Sequence, residues 1–150
     1  MADGADPQEP GPITLVTLLK RRPGMSWDDF VAYYETHHRR IGEDVLAGFA
    51  SRYERRYLRP APGGSEAADV DVLLEIDFPS AAHLAAFRAA ASVPEVRARI
   101  VADEERLFDR RLIRSFTVTA ARSPLPPPAD LLAEPAAGAT PRSPAGSGSG

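Results

Sequence analysis

The chain contains no cysteine. That excludes disulfides and thiolate metal sites, and it fits a reducing, cytoplasmic location. No stretch approaches the ~20 apolar residues of a membrane-spanning helix, so no membrane partner is expected. The opening run, MADGADPQEPGP, is acidic and has no apolar segment, which argues against a secretory signal. Excess positive charge is missing too. Formal net charge is −3, from 18 Lys and Arg against 21 Asp and Glu. Two of the basic and five of the acidic residues lie near the chain ends, so the segment from 13 to 121 carries 16 of each. A balanced segment argues against a nucleic-acid partner. There is no HExxH, no P-loop and no GxGxxG. No metal site and no cofactor are expected from the motifs.

What remains is a chain of 150 residues, 43% of them hydrophobic, enough for one buried core. Residues 1–12 hold three prolines and no periodicity, and read as a disordered tail. From Ser123 the sequence runs SPLPPPADLLAEPAAGATPRSPAGSGSG, with seven of the fifteen prolines and a Gly/Ser end. Residues 122–150 therefore read as a second flexible tail. The folded domain is assigned to 13–121.

Within it the pattern is β-α-β, a break, then β-α-β. Ile13 to Lys20 is apolar on both faces, as in a central strand. Ser26, with Asp29 three residues on, starts an amphipathic helix that fades near Gly48. Phe49 to Leu58 makes a second strand, with Phe49, Tyr53 and Tyr57 on one side. Between Arg59 and Ser65 lies a Pro/Gly loop. Val70 to Phe78 alternates cleanly: Val70, Val72, Leu74, Ile76 and Phe78 face one way, and Asp71, Leu73, Glu75 and Asp77 the other. Ser80 caps a helix, Pro94 opens another, and Leu112 to Thr119 forms the last strand. This order predicts a ferredoxin-like α+β fold: a four-stranded antiparallel sheet with its helices on one face. The uncovered face, partly apolar, predicts a homodimer in which two sheets pair as a dimeric α+β barrel, with a cavity between sheet and partner.

Several polar residues sit where this pattern does not want them. Trp27, Phe30, Val31, Tyr34, Ile41 and Val45 form one apolar helical stripe, and His38 falls within it. An imidazole there needs a hydrogen-bond partner. It titrates near neutrality and so suits acid–base chemistry; the plainer reading is a bond to a backbone carbonyl. Asp103 repeats the anomaly between Ile100 and Leu107, and would orient His38 unless the helix breaks there. Glu75 faces the expected inter-sheet cavity, where desolvation would suit it to act as an acid or base; otherwise it lies in water. Tyr53 could donate to a substrate oxygen or simply pack. Tyr34 on the stripe and His37 at its rim complete the candidate substrate contacts. Arg52, Arg55, Arg56 and Arg59 read as a solvated edge, or as contacts to an acidic ligand at the barrel mouth.

The run LLKRRPGMSWDDFVAYYETHHRRI resembles the opening of EthD-domain proteins: a strand, a K-R-x-P-G-x-S turn, an F-x-x-Y-(W/Y) helix and an E-x-H-H ending. VLLEIDFPS and VRARIVADEERLFDR resemble the second half of that family. The resemblance spans residues 13 to 121 and implies a dimeric α+β barrel. By position, His38 matches the second His of the motif, Glu75 the acidic residue of the third strand, and Asp103 the acidic residue before the last aromatic. Tyr34 stands where many members carry Trp. The family is associated with alkyl-ether degradation clusters and with aromatic polyketide tailoring, and fold alone does not choose a reaction.

Two readings follow. In the first, the protein is a cofactor-independent lyase or cyclase acting by cyclisation, dehydration or decarboxylation on a hydrophobic, polyketide-like small molecule. His38 is then the base, Asp103 its orienting partner, and Glu75 an acid, provided that His38 and Glu75 share a pocket. In the second, it is a dimer that binds a small hydrophobic ligand without catalysis. An oxygenase-type barrel, cofactor-free or with haem on His38 or His37, is a further alternative.

Overall fold

The computed structural model describes residues 11–64 and 69–132. The chain divides after Thr119 into two units. In the second, residues 120–132 form no helix or strand. Most of both sequence-assigned tails, and part of the loop after Arg59, lie outside the described residues.

In the first unit, β1 (Ile13–Leu19), β2 (Arg52–Tyr57), β3 (Val72–Phe78) and β4 (Arg114–Thr117) build one antiparallel sheet in the order β2-β3-β1-β4. That is the ferredoxin-like arrangement the sequence predicts. Central β1 is the near-continuous apolar run, as a strand paired on both edges should be. Register sets the faces. Leu15 pairs with Ile76 and Thr17 with Leu74, while Tyr53 pairs with Ile76 and Tyr57 with Val72. These residues point toward the helices. Val16 pairs with Glu75 on one side and Phe116 on the other, and these residues point the other way.

The helix expected from Ser26 onward is interrupted. Ser26 caps α1 (Trp27–Tyr33), its hydroxyl accepting the Asp29 N–H. A π-turn then runs over Tyr34–His38, and α2 (Arg39–Leu46) continues to a stop at Gly48, which has φ +83°. The Arg39 N–H reaches back five residues to the Tyr34 carbonyl. The Thr36 hydroxyl donates to the Ala32 carbonyl at 2.6 Å, occupying an acceptor of the regular ladder. A period of 3.6 cannot reveal such a turn, which inserts one residue and is frequent at functional sites. Ser80 caps α3 (Ala81–Ala91), and Pro94 opens α4 (Pro94–Leu107). The last strand is shorter than expected, because Arg110–Leu112 forms a 3₁₀ turn that Asp109 caps at its start, its carboxylate accepting the Arg111 N–H.

The core has two parts. Leu19, Phe30, Tyr34, Val72, Leu107 and Phe108 form one cluster; Leu46, Ile76, Phe78 and Leu84 form the other. Each large side chain so buried is worth about 1.5–3 kcal/mol. Both clusters lie between sheet and helices, and members of both border the cavity described next.

Candidate functional site

A cavity of about 260 Å³ opens between the helices and the inner face of the sheet. The sequence places a cavity between the sheet and a partner; the one seen here lies inside one protomer, in the gap between the two apolar clusters. Leu15, Ile41, Val45, Leu74, Ile76 and Phe87 make its walls mostly apolar. Polar groups reach it at few points: His38, Tyr34, Tyr53, Glu104, and the pair Thr17 and Ser115, whose hydroxyls bond each other at 2.8 Å.

His38 leaves the π-turn and Asp103 the middle of α4. The imidazole Nδ1 lies 2.7 Å from the Asp103 carboxylate. Both residues are buried, at 9% exposure each. A carboxylate only accepts, so its partner Nδ1 carries the proton, and neutral His38 keeps a lone pair on Nε2. The second carboxylate oxygen takes a hydrogen bond from the Tyr33 hydroxyl at 2.5 Å. Burial, and then the bond to Asp103, raise the Tyr33 phenol above its ordinary value. The His38 ring meets Tyr34 and Phe108 edge-on, each at 5.2 Å between centroids. His38 is thus wedged between aromatic rings, fixed at one nitrogen, and set in the cavity wall. The helix does not break at Asp103.

Tyr34 is fully buried, and among the described residues its hydroxyl is the one buried side-chain polar atom without a hydrogen-bond partner. Burial pushes this phenol well above its ordinary value, and the neighbouring Tyr53 adds to the shift without meeting hydrogen-bond geometry. Burial likewise raises Tyr53. The Tyr53 hydroxyl packs so tightly on α2 that a Cβ at Gly42 would lie 2.5 Å from it. The Arg55 guanidinium stands 4.7 Å from the centre of the Tyr53 ring and grips Glu35 with two bonds of 2.7 and 3.0 Å. Tyr57 donates to the same carboxylate at 2.6 Å. Glu35 belongs to the π-turn, so these bonds tie that turn to β2.

Two sequence-assigned residues are not brought to this site. Glu75 lies on the opposite face of the sheet, where strand alternation puts it once the cavity is on the helix side. There it accepts from Arg52 at 2.9 Å and lies 3.4 Å from Arg56. Arg52 also holds Asp77 and Glu54. His38 and Glu75 therefore do not share the cavity. His37 is exposed and stacks on Tyr33 at 4.7 Å, with Nδ1 bonded to Thr36; it is absent from the cavity wall because the widened turn carries it outward. Among the described residues no group of three or more His, Asp or Glu is placed to hold a metal ion.

Sequence reasoning missed Tyr33, Gly42, Thr17, Ser115 and Glu104. Thr17 carried a signal, being a polar residue between Leu15 and Leu19 on one strand face. Tyr33 and Gly42 carried none, since their roles depend on the π-turn and on a close approach between elements.

The EthD-domain family model matches residues 22–111. No curated protein matches the sequence. Among solved structures, the chain is similar to a protein of the ethyl tert-butyl ether D (EthD) family from Bacillus halodurans. Identity is 13% and the TM-score 0.54, over 73% of this chain and 99% of that one. An EthD-like protein from Ralstonia eutropha is 18% identical with a TM-score of 0.53, over 73% and 89% of the two chains. At these identities the likeness shows a shared fold.

Proposed function

The chain belongs to the EthD-domain family, and from that premise we propose that its helix-side cavity is the active site of a cofactor-independent enzyme. The substrate is a small, largely apolar, oxygenated molecule, and the chemistry is proton abstraction and return by His38. One observation carries this reading: a buried imidazole held at Nδ1 by a buried carboxylate, 2.7 Å away, in the wall of an apolar cavity. Orienting a histidine through one nitrogen leaves the other as a base in a fixed direction. Exclusion of water by the apolar walls strengthens each polar interaction inside. At about 260 Å³ the cavity falls just below the ~300 Å³ at which sites for drug-sized ligands begin, which favours a substrate of one or two rings. Cyclisation and dehydration of polyketide-like compounds begin with such a proton abstraction, decarboxylation ends with a proton delivered to the carbon that CO2 has left, and Glu75 takes no part in either transfer.

A second copy of the chain is proposed as the partner. The outer sheet face presents Leu18, Leu73 and Phe116 beside the charged Arg52–Glu75 network. Apolar surface of this kind is normally covered, and a two-fold axis would set that mixed face against itself.

The functional reading is tested by incubating the full chain with a small-molecule extract of its source cells and following the components by mass spectrometry. The wild type is expected to consume at least one component that His38→Ala leaves untouched. Equal consumption by both would remove His38 from the chemistry. Binding of a component without consumption by either would favour a carrier.

A further inference from the structure

The cavity has a second polar feature besides His38. The Tyr34 hydroxyl is fully buried, unpartnered and in the cavity wall. The neighbouring Tyr53 does not meet hydrogen-bond geometry with it, and aromatic rings pack around the Tyr34 ring. Phe30, His38, Tyr57 and Phe108 surround it edge-on, with centroids 5.2 to 6.2 Å away. An unmet hydroxyl in such a place destabilises the empty protein, and a ligand that accepts its hydrogen bond relieves that cost.

We propose that the Tyr34 hydroxyl is the oxygen-binding point of the cavity, donating to the carbonyl of a small apolar ketone whose adjacent C–H faces His38. This rests on the reading of His38 given above and names the substrate class for it. The ring centroids are 5.2 Å apart and both residues line the same cavity, which places them within the span of a single ligand. Their demands are complementary: Tyr34 has a proton to give, and His38 Nε2 has a lone pair that wants one. A ketone with an acidic α-hydrogen meets both with a single polar atom, which suits walls that are mostly apolar.

The step balances without an oxidant. His38 Nε2 takes the α-proton. The C–H pair becomes the C=C of the enolate, and the carbonyl π pair moves onto oxygen. Tyr34 holds that oxygen as its charge grows, which lowers the barrier. Return of a proton from His38 to carbon completes an exchange. Burial first, and then Tyr53, keep the Tyr34 phenol protonated, so it remains a donor through the neutral range.

The test compares β-tetralone with tetralin, the same bicycle without oxygen, by calorimetry on the full chain. The wild type is expected to bind the ketone roughly tenfold more tightly, the scale of a satisfied buried hydroxyl. In Tyr34→Phe the ratio falls to about one. The infrared carbonyl stretch of bound β-tetralone is expected at lower frequency in the wild type and in His38→Ala, but not in Tyr34→Phe. The wild-type spectrum needs no variant and stands whether or not Tyr34→Phe folds. Equal affinities in the wild type, no saturable ketone binding, or a ratio and stretch unchanged in Tyr34→Phe overturn the assignment. His38→Ala separates the two ideas. Keeping the ketone preference while exchanging α-protons as fast as the wild type sinks the base and leaves Tyr34 in place.

Discussion

His38 and Asp103, 65 residues apart in sequence, meet at 2.7 Å between the π-turn and α4. The contact is buried from both sides, and the same carboxylate receives the Tyr33 hydroxyl. Two donors therefore converge on one acidic side chain, and each carboxylate oxygen has one to serve.

Asp103→Asn removes half of that accepting capacity. The amide offers one acceptor oxygen, so either a donor is stranded or His38 adopts the other tautomer and loses its Nε2 lone pair. Activity is expected to fall about 100-fold or more, the scale of a general base. Unfolding in urea is expected to show a loss of about 1–3 kcal/mol, the cost of an unmet buried group. Full activity in Asp103→Asn would contradict the orienting role.

Tyr33→Phe removes one donor from Asp103 and leaves its contact with His38. A smaller effect is expected, about three- to tenfold on turnover. The effect should fall on kcat rather than KM, because the imidazole keeps its Asp103 contact but the carboxylate loses a fixed donor. A change in stability with kcat unmoved would reduce Tyr33 to packing.

Gly42→Ala separates binding from folding. Helix propensity favours Ala by up to ~1 kcal/mol, yet the new Cβ would lie 2.5 Å from the Tyr53 hydroxyl and force that ring into the cavity or away from α2. The thermal midpoint is expected to change little while ketone affinity falls several-fold by calorimetry. Unchanged affinity would show that Tyr53 does not shape the site.

The tie between the π-turn and β2 depends on pH. The Arg55 hydrogen bonds, helped by Tyr57, hold the Glu35 carboxyl below its ordinary value of 4.5. A depressed folded-state value means the stabilisation is present above pH 4.5 and is lost as pH falls through the lowered value. The urea midpoints of wild type and Glu35→Gln should therefore differ at pH 7 and converge in acid below 4.5. A gap that persists undiminished at pH 2.5 would mean the ion pair is not its source.

The outer sheet face yields a simpler expectation. Phe116 is 51% exposed, so Phe116→Lys costs the single chain little. By light scattering the wild type should have twice the mass of one chain, and Phe116→Lys the mass of one. A wild type of single-chain mass would refute the pairing.

Much of this was legible in the sequence, for definite reasons. Alternation in Val70 to Phe78 and the Ser26 and Ser80 caps are local signals, and they fixed strand β3 and the starts of two helices. His38 and Asp103 stood out because each is a polar residue on an apolar stripe, and the structure pairs them. Glu75 shows where local reasoning stops. Its face was read correctly from alternation, but which face bounds the cavity depends on how two core clusters pack, and no single strand encodes that. The outward turn of His37 has a similar cause: a π-turn changes the phase of every later residue, and nothing in YETHH announces it.

The central claim is that His38 moves protons for a ligand held in the helix-side cavity. The most direct test is deuterium incorporation at the α-carbon of β-tetralone in D₂O, followed by NMR with wild type and His38→Ala, both checked for native circular dichroism. Wild type is expected to accelerate exchange over buffer, and His38→Ala to lose at least about 100-fold of that acceleration. Exchange at the wild-type rate in His38→Ala, or none above buffer in the wild type, would contradict it.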